Sequence, residues 1–199
     1  MSHGVSPPRP LRAGAIVLAA GEGRRMGRPK ALLPLEGRTF LEVLLGRFRD
    51  AEVAPAVVVL GTSADEILQE VPPGGALFVR NPDPSRGQLS SVHCGLDALA
   101  GKDLDAVFLA PVDVPRVRAD TLRRMVSALP GRRLVVPRFG GKRGHPALFG
   151  RDLFPALREA PKDRGSRAVV HAESSRLELD VDDAAVLEDF DRPEDLPPA

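Results

Sequence analysis

Residues 15–30 read AIVLAAGEGRRMGRPK, an apolar run of strand length that breaks into a loop of glycines and cations. Residues 15–19 carry no polar side chain, the pattern of a strand covered on both faces. In the loop, Gly21 and Gly23 let bare backbone N–H groups turn toward an oxyanion, while Arg25 supplies a forked guanidinium and Lys30 a point charge. Two familiar phosphate motifs fail on spacing. A dinucleotide fingerprint requires GxGxxG, whereas these glycines fall at 21, 23 and 27, and a P-loop requires GK followed by Ser or Thr, whereas Lys30 precedes Ala31. Read alone, the loop suits a triphosphate cradle, and it also suits an ordinary strand-to-helix turn with solvated arginines.

Outward from this stretch, apolar runs at 56–60, 77–79, 106–109 and 134–136 read as further buried strands. Helical spacings lie between them: Phe40, Leu41, Leu44, Leu45 and Phe48; Ile67, Leu68 and Val71; Val92, Leu96 and Leu99; Leu122, Met125, Val126 and Leu129. Strand alternating with helix implies crossover connections, hence a single three-layer α/β/α domain around a mostly parallel, Rossmann-like sheet. Ligands of such sheets lie beyond the carboxyl ends of the strands. Residues 137–146, PRFGGKRGHP, read as a loop passing over that face before a short apolar run at 147–149. Helices are expected near 151–158 and 166–172, and a strand at 176–181. The Pro-rich, basic residues 1–12 read as a tail, and 13–199 as the domain.

Composition narrows the partners. Of 199 residues, 28 are basic and 27 acidic, so the net charge of +1 provides no global field for nucleic acid or membrane. There is no Trp or Tyr, which removes the usual platforms for stacking single-stranded bases. The single cysteine, Cys94, reads as a small buried hydrophobe rather than a zinc ligand or reactive thiol. With no secretory core and no apolar stretch near the ~20 residues of a membrane span, the expected location is the cytoplasm.

The segment LAAGEGRRMGRPKALLPLEGRTFLE at 18–42 closely resembles the LAAGxSxRMGxxK opening of the molybdenum-cofactor nucleotidyltransferases of the MobA/MocA-like group. The resemblance continues in the same order through NPDPSRGQLSSVHCGL at 81–96, LAPVDVP at 109–115, GKRGHPALF at 141–149, DRGSRAVV at 163–170 and DFDRPEDL at 189–196. RGHP and DFDRPED are most similar to the cytidylyltransferase branch. The chain departs from the group at Gly23, where serine is common, and so lacks one hydroxyl contact.

The resemblance implies a nucleotide site formed by Leu18, Ala19, Ala20, Gly21, Gly23, Arg25, Lys30, Gly87, Ser91 and Asp113. It implies Mg²⁺ held by Asp113 and Asp191, with Lys30, Arg25 and Asp113 as the catalytic groups, and an acceptor contacted by Gly144, His145 and Pro146. From the residues alone Asp113 and Asp191 also suit helix-capping or turn roles, as Ser90 and Ser91 suit the start of a helix. Asp182 and Asp183 read as a solvated turn, and His3, His93 and His171 as plain surface or structural groups. The implied reaction moves a nucleoside monophosphate, CMP from CTP before GMP from GTP, onto the phosphate of molybdopterin, and a molybdoenzyme would receive the product. Sugar or polyol phosphates are alternative acceptors, and a non-catalytic cofactor-binding protein is the reading from another class.

Overall fold

The computed structural model describes residues 9–21, 27–162, 164–190 and 195. The first apolar run is strand β1 (Ala13–Ala19), and its alternation divides the interior. Ile16 packs into one core with Val57, Val107 and Phe149, while Ala15 and Val17 pack into the other with Val58, Phe108 and Leu148. A strand flanked by two cores is what an uninterrupted apolar run encodes, and each fully buried Phe or Ile contributes about 1.5–3 kcal/mol.

A small hairpin, β2 (Pro34–Leu35) and β3 (Arg38–Thr39), leads into α1 (Phe40–Asp50). That helix begins with a capping box: Thr39 Oγ1 accepts the Glu42 N–H at 3.2 Å, and the Glu42 carboxylate accepts the Thr39 N–H at 2.8 Å. There follow β4 (Ala56–Leu60), α2 (Ala64–Glu70), β5 (Leu77–Arg80), α3 (Gln88–Ala98), β6 (Ala106–Pro111), α4 (Ala119–Ser127) and β7 (Leu134–Phe139). The rest comprises β8 (Lys142–Arg143), β9 (Ala147–Gly150), α5 (Phe154–Glu159), α6 (Ser166–Ala172) and β10 (Arg176–Asp180). Helices α1, α2 and α4 feed one core, α3, α5 and α6 the other, which makes the three layers expected.

The sheet order is β10, β7, β9, β6, β1, β4, β5, with β8 paired to β7. Pairing is parallel for β1 with β4 and β6, for β4 with β5 and for β10 with β7; β9 runs antiparallel between β6 and β7. Because Leu18 lies in register with Pro111, the chains leaving β1 and β6 emerge side by side at one sheet edge. That edge carries both clefts described below.

Two expectations are corrected. Residues 137–146 are not an irregular loop: β7 runs through Arg138 and Phe139, turns at Gly140 and Gly141, and pairs back through Lys142 and Arg143. Arg138 is held there by both Asp180 oxygens, at 2.7 and 2.8 Å, a bond to β10 that local composition does not reveal. Asp183 is not solvated either. Its side chain is only 4% exposed, and its carboxylate accepts the Arg118 N–H at 2.9 Å and the Thr121 hydroxyl at 2.7 Å, capping α4 from a distant part of the chain. At the other end of the chain, Arg9 and Arg12 pair with Asp105 and Asp103 at 2.8 and 2.9 Å, so these residues of the expected tail are tied to the approach to β6. Cys94 is half-buried against the α3-side core, and burial pushes its thiol pKa up, in keeping with a packing role. Among the described residues, no helix is long and apolar enough to cross a membrane.

Candidate active site

Asp113 stands two residues beyond β6, and Lys30 opens a short helical turn whose Ala31 and Leu32 are buried in the core. Those anchors bring the Lys30 ammonium to donate to Asp113 Oδ2 at 2.7 Å, with both side chains about four-fifths removed from solvent. Asp113 is held from a third side as well. Its carbonyl accepts the Phe190 N–H at 3.3 Å, and the Phe190 ring meets Phe40 edge-on with centroids 5.0 Å apart. Phe190 is therefore pinned against the end of β6. Asp113 does not cap α4, since Asp183 fills that role.

The smaller of two adjoining clefts has a volume of about 310 Å³. Leu18, Ala19, Ala20 and Gly21, the end of β1 and its exit, line it together with Lys30, Asp113, Gly87 and Ser91. Gly87 precedes α3 with φ +88°, a conformation that L side chains rarely adopt. Ser91 is buried and accepts from Asn81 Nδ2 at 3.0 Å, while Ser90 accepts from the same amide at 2.7 Å. Neither serine side chain caps the helix. The Ser90 hydroxyl donates to the Gly87 carbonyl at 2.8 Å, whereas Ser91 lines the cleft and accepts from Asn81.

The larger cleft, of about 920 Å³, shares Leu18, Gln88, Pro111 and Asp113 with the smaller one. Gly144 and His145 line it, and Pro146 is the buried residue that follows. Gly144 is sterically required, because a Cβ there would lie 2.3 Å from the Val186 carbonyl oxygen, the same oxygen that accepts the His145 N–H at 2.7 Å. His145 is exposed at this cleft. Desolvation by the protein around it lowers its pKa from 6.5; Asp113 and Asp189 push it back up, and Arg167 pushes it down.

Gly23, Arg25 and Asp191 lie outside the described residues. Among the described residues no group of three or more His, Cys, Asp or Glu side chains converges on one point. The geometry puts an acid and a cation where two clefts adjoin at the end of β1 and β6. Residues 15–178 match the model of the MobA-like NTP transferase domain. The chain belongs to that family.

Within the MobA-like family the chain is 34% identical over 192 residues to nicotine blue oxidoreductase of Paenarthrobacter nicotinovorans, covering 91% of this chain and 93% of that protein. It is 31% identical over 147 residues to the molybdenum cofactor guanylyltransferase of Rhodobacter capsulatus, covering 73% and 67% of the two chains. Rv0371c of Mycobacterium tuberculosis H37Rv superposes with a TM-score of 0.83 at 29% identity, covering 94% of this chain and 96% of that one. A manganese complex of Rv0371c superposes with a TM-score of 0.77 at 28% identity, covering 92% and 95%. Family members thus carry both transferase and oxidoreductase names.

Several cleft residues escape a reading of the sequence. Gln88, next to Gly87, lines both clefts, and Asp189, Lys162, Arg164, Arg167 and His171 line the larger one. The run DRGSRAVV was the available signal for Arg164 and Arg167, but only the packing of α6 shows that it faces the cleft.

Proposed function

We propose that the chain is a divalent-metal-dependent nucleotidyltransferase that moves a nucleoside monophosphate from a nucleoside triphosphate to a phosphomonoester and releases pyrophosphate. The observation that carries this reading is the Lys30–Asp113 contact at the junction of two clefts. The smaller cleft suits the nucleotide and the larger one the acceptor. An acceptor phosphate oxygen forms a bond to the α-phosphorus while the bond to the bridging oxygen of the β-phosphate breaks, and pyrophosphate leaves with that electron pair. No strong base is needed, because a phosphomonoester is already largely ionised near neutrality; alignment and charge compensation are the work to be done. The Lys30 ammonium offsets charge growing on the leaving pyrophosphate, and Arg25 joins it there.

The donor set fits magnesium or manganese: Asp113 offers hard oxygen at the strand end, and Asp191 follows directly on Phe190, which is bonded to Asp113. Few protein ligands, completed by phosphate oxygens and water, are how Mg²⁺ is normally held, and the manganese complex of Rv0371c supports a divalent ion in this fold. When bound, such an ion polarises the α-phosphate and draws the two anions together.

CTP is the proposed nucleotide and molybdopterin the proposed acceptor, on the likeness of RGHP and DFDRPED to cytidylyltransferases. GTP is the second reading, favoured by the relative named molybdenum cofactor guanylyltransferase. Pyrophosphate release measured with CTP, GTP, ATP and UTP, with and without molybdopterin and Mg²⁺, separates them. Acceptor-dependent release with CTP supports the first, and with GTP the second. Release with none of the four overturns transfer and turns attention to a cofactor-binding protein or to a redox reaction such as the name of the Paenarthrobacter relative suggests.

A further inference from the structure

We propose that the turn between α5 and α6 is an anion clamp, in which Arg164 and Arg167, helped by Lys162, hold a phosphomonoester whose body is flat and apolar. This rests on the transferase reading in taking the larger cleft as the acceptor site. Lys162, Arg164 and Arg167 line that cleft, and among the described residues none of them has a carboxylate within ion-pair distance. Elsewhere Arg28, Arg80, Arg138 and Arg158 each pair with an acid at 3.0 Å or closer. Three cations on one cleft, without an ion-pair partner among the described residues, suit an anion from outside.

The backbone of the turn does not compete for that role. The N–H groups of Arg164 and Gly165 are both spent on the Pro161 carbonyl, at 3.1 and 2.8 Å, so the side chains must do the binding. His145 lines the same cleft as Arg167, Asp113 and Asp189, so the clamp and the strand-end acid open on one space. A phosphate held by the clamp there shares a cavity with Asp113, which also borders the nucleotide cleft.

The floor selects the body. Leu89, Leu109, Val136, Ala147 and Phe149 are all buried core residues that line the cleft without a side-chain hydrogen-bonding group. A polyol would lose water there without replacement, whereas an aryl or heterocyclic ring covers the surface at little cost. The cleft therefore favours a ring-bearing phosphate over a sugar or polyol phosphate.

A ³¹P NMR titration with phenyl phosphate tests the clamp on the intact protein. Saturable binding to the wild type is expected, about tenfold or more weaker in Arg164→Gln/Arg167→Gln, unchanged in Lys102→Gln, and weaker for glycerol 3-phosphate than for phenyl phosphate. In turnover with molybdopterin, the double variant should raise the acceptor KM about ten- to hundredfold while the KM for the nucleotide moves less than twofold. Equal phenyl phosphate binding by wild type and double variant, or equal effects on both KM values, overturns the clamp and leaves the transferase reading standing. Clamp-dependent binding with no pyrophosphate release from any nucleotide overturns the transferase reading and leaves the clamp.

Discussion

Lys30 and Asp113, 83 residues apart in the chain, meet at 2.7 Å where the two clefts join. Asp113 lines both clefts and Lys30 lines the smaller one, so the pair borders both spaces. Lys30→Gln and Asp113→Asn should each lower kcat by about a hundredfold or more, because each removes charge compensation at the reacting phosphates. The double variant should be little worse than either single one, as expected of groups that act as a unit. Asp113→Ala should abolish turnover. Thermal melts should shift little in all of these, since the pair is partly open to solvent. Steady-state kinetics alongside melting curves checks the claim, and near-full activity of Asp113→Ala with Mg²⁺ would refute it.

Gly144 sits where any Cβ would enter the Val186 carbonyl. Because the obstacle is backbone, it cannot swing aside as a side chain could. Gly144→Ala should cost about 2–3 kcal/mol and lower the melting temperature by about 5 °C or more. It should also displace His145, whose N–H uses the same carbonyl, and raise the acceptor KM. Urea denaturation reads the first effect and kinetics the second.

The buried cap of α4 gives a stability prediction remote from the clefts. Asp183→Ala removes the acceptor for the Arg118 N–H and the Thr121 hydroxyl, at an expected cost of about 2–3 kcal/mol. Asp183→Asn keeps an acceptor oxygen and should cost about 1 kcal/mol. Equal loss in the two variants would show that charge, not capping, matters there.

Glu173 links stability to pH. Its carboxylate accepts the Ser175 N–H at 2.9 Å and the Ser175 hydroxyl at 2.8 Å, and Arg133 lies at 3.0 Å. The hydrogen bonds from Ser175, followed by the charge of Arg133, hold its pKa below the ordinary 4.5. A folded-state pKa below the unfolded one means that the unfolded chain binds the proton first as pH falls. The stabilisation is thus present above about pH 4.5 and is lost as pH drops through the lowered value. Glu173→Gln should cost about 1 kcal/mol at pH 7 and show a shallower loss of stability on acidification. Denaturant melts at pH 7 and pH 4 compare the two slopes.

The strand and helix pattern was legible because burial on two faces writes itself into local composition: residues 15–19 and 56–60 are apolar throughout, and α1 and α4 repeat at helical spacing. That Gly21, Gly87, Lys30 and Asp113 sit at strand ends and turns was legible too, and all four line the smaller cleft. Arg164 and Arg167 were not, since an arginine in a turn or on a short helix looks the same whether it faces water or a cleft. Asp183 was misread for a related reason, its partners lying 62 and 65 residues away.

The sequence by itself determined the layered architecture and the place of an acid just after β6, both set by periodicity and by the chemistry of single residues. Tertiary structure alone decided that Lys30 reaches Asp113, that Phe190 closes on the same acid, that 137–146 is a hairpin and that the α5–α6 turn faces the larger cleft. These depend on contacts between residues distant in the chain, and no local signal carries the distance between two side chains that only the assembled sheet brings together.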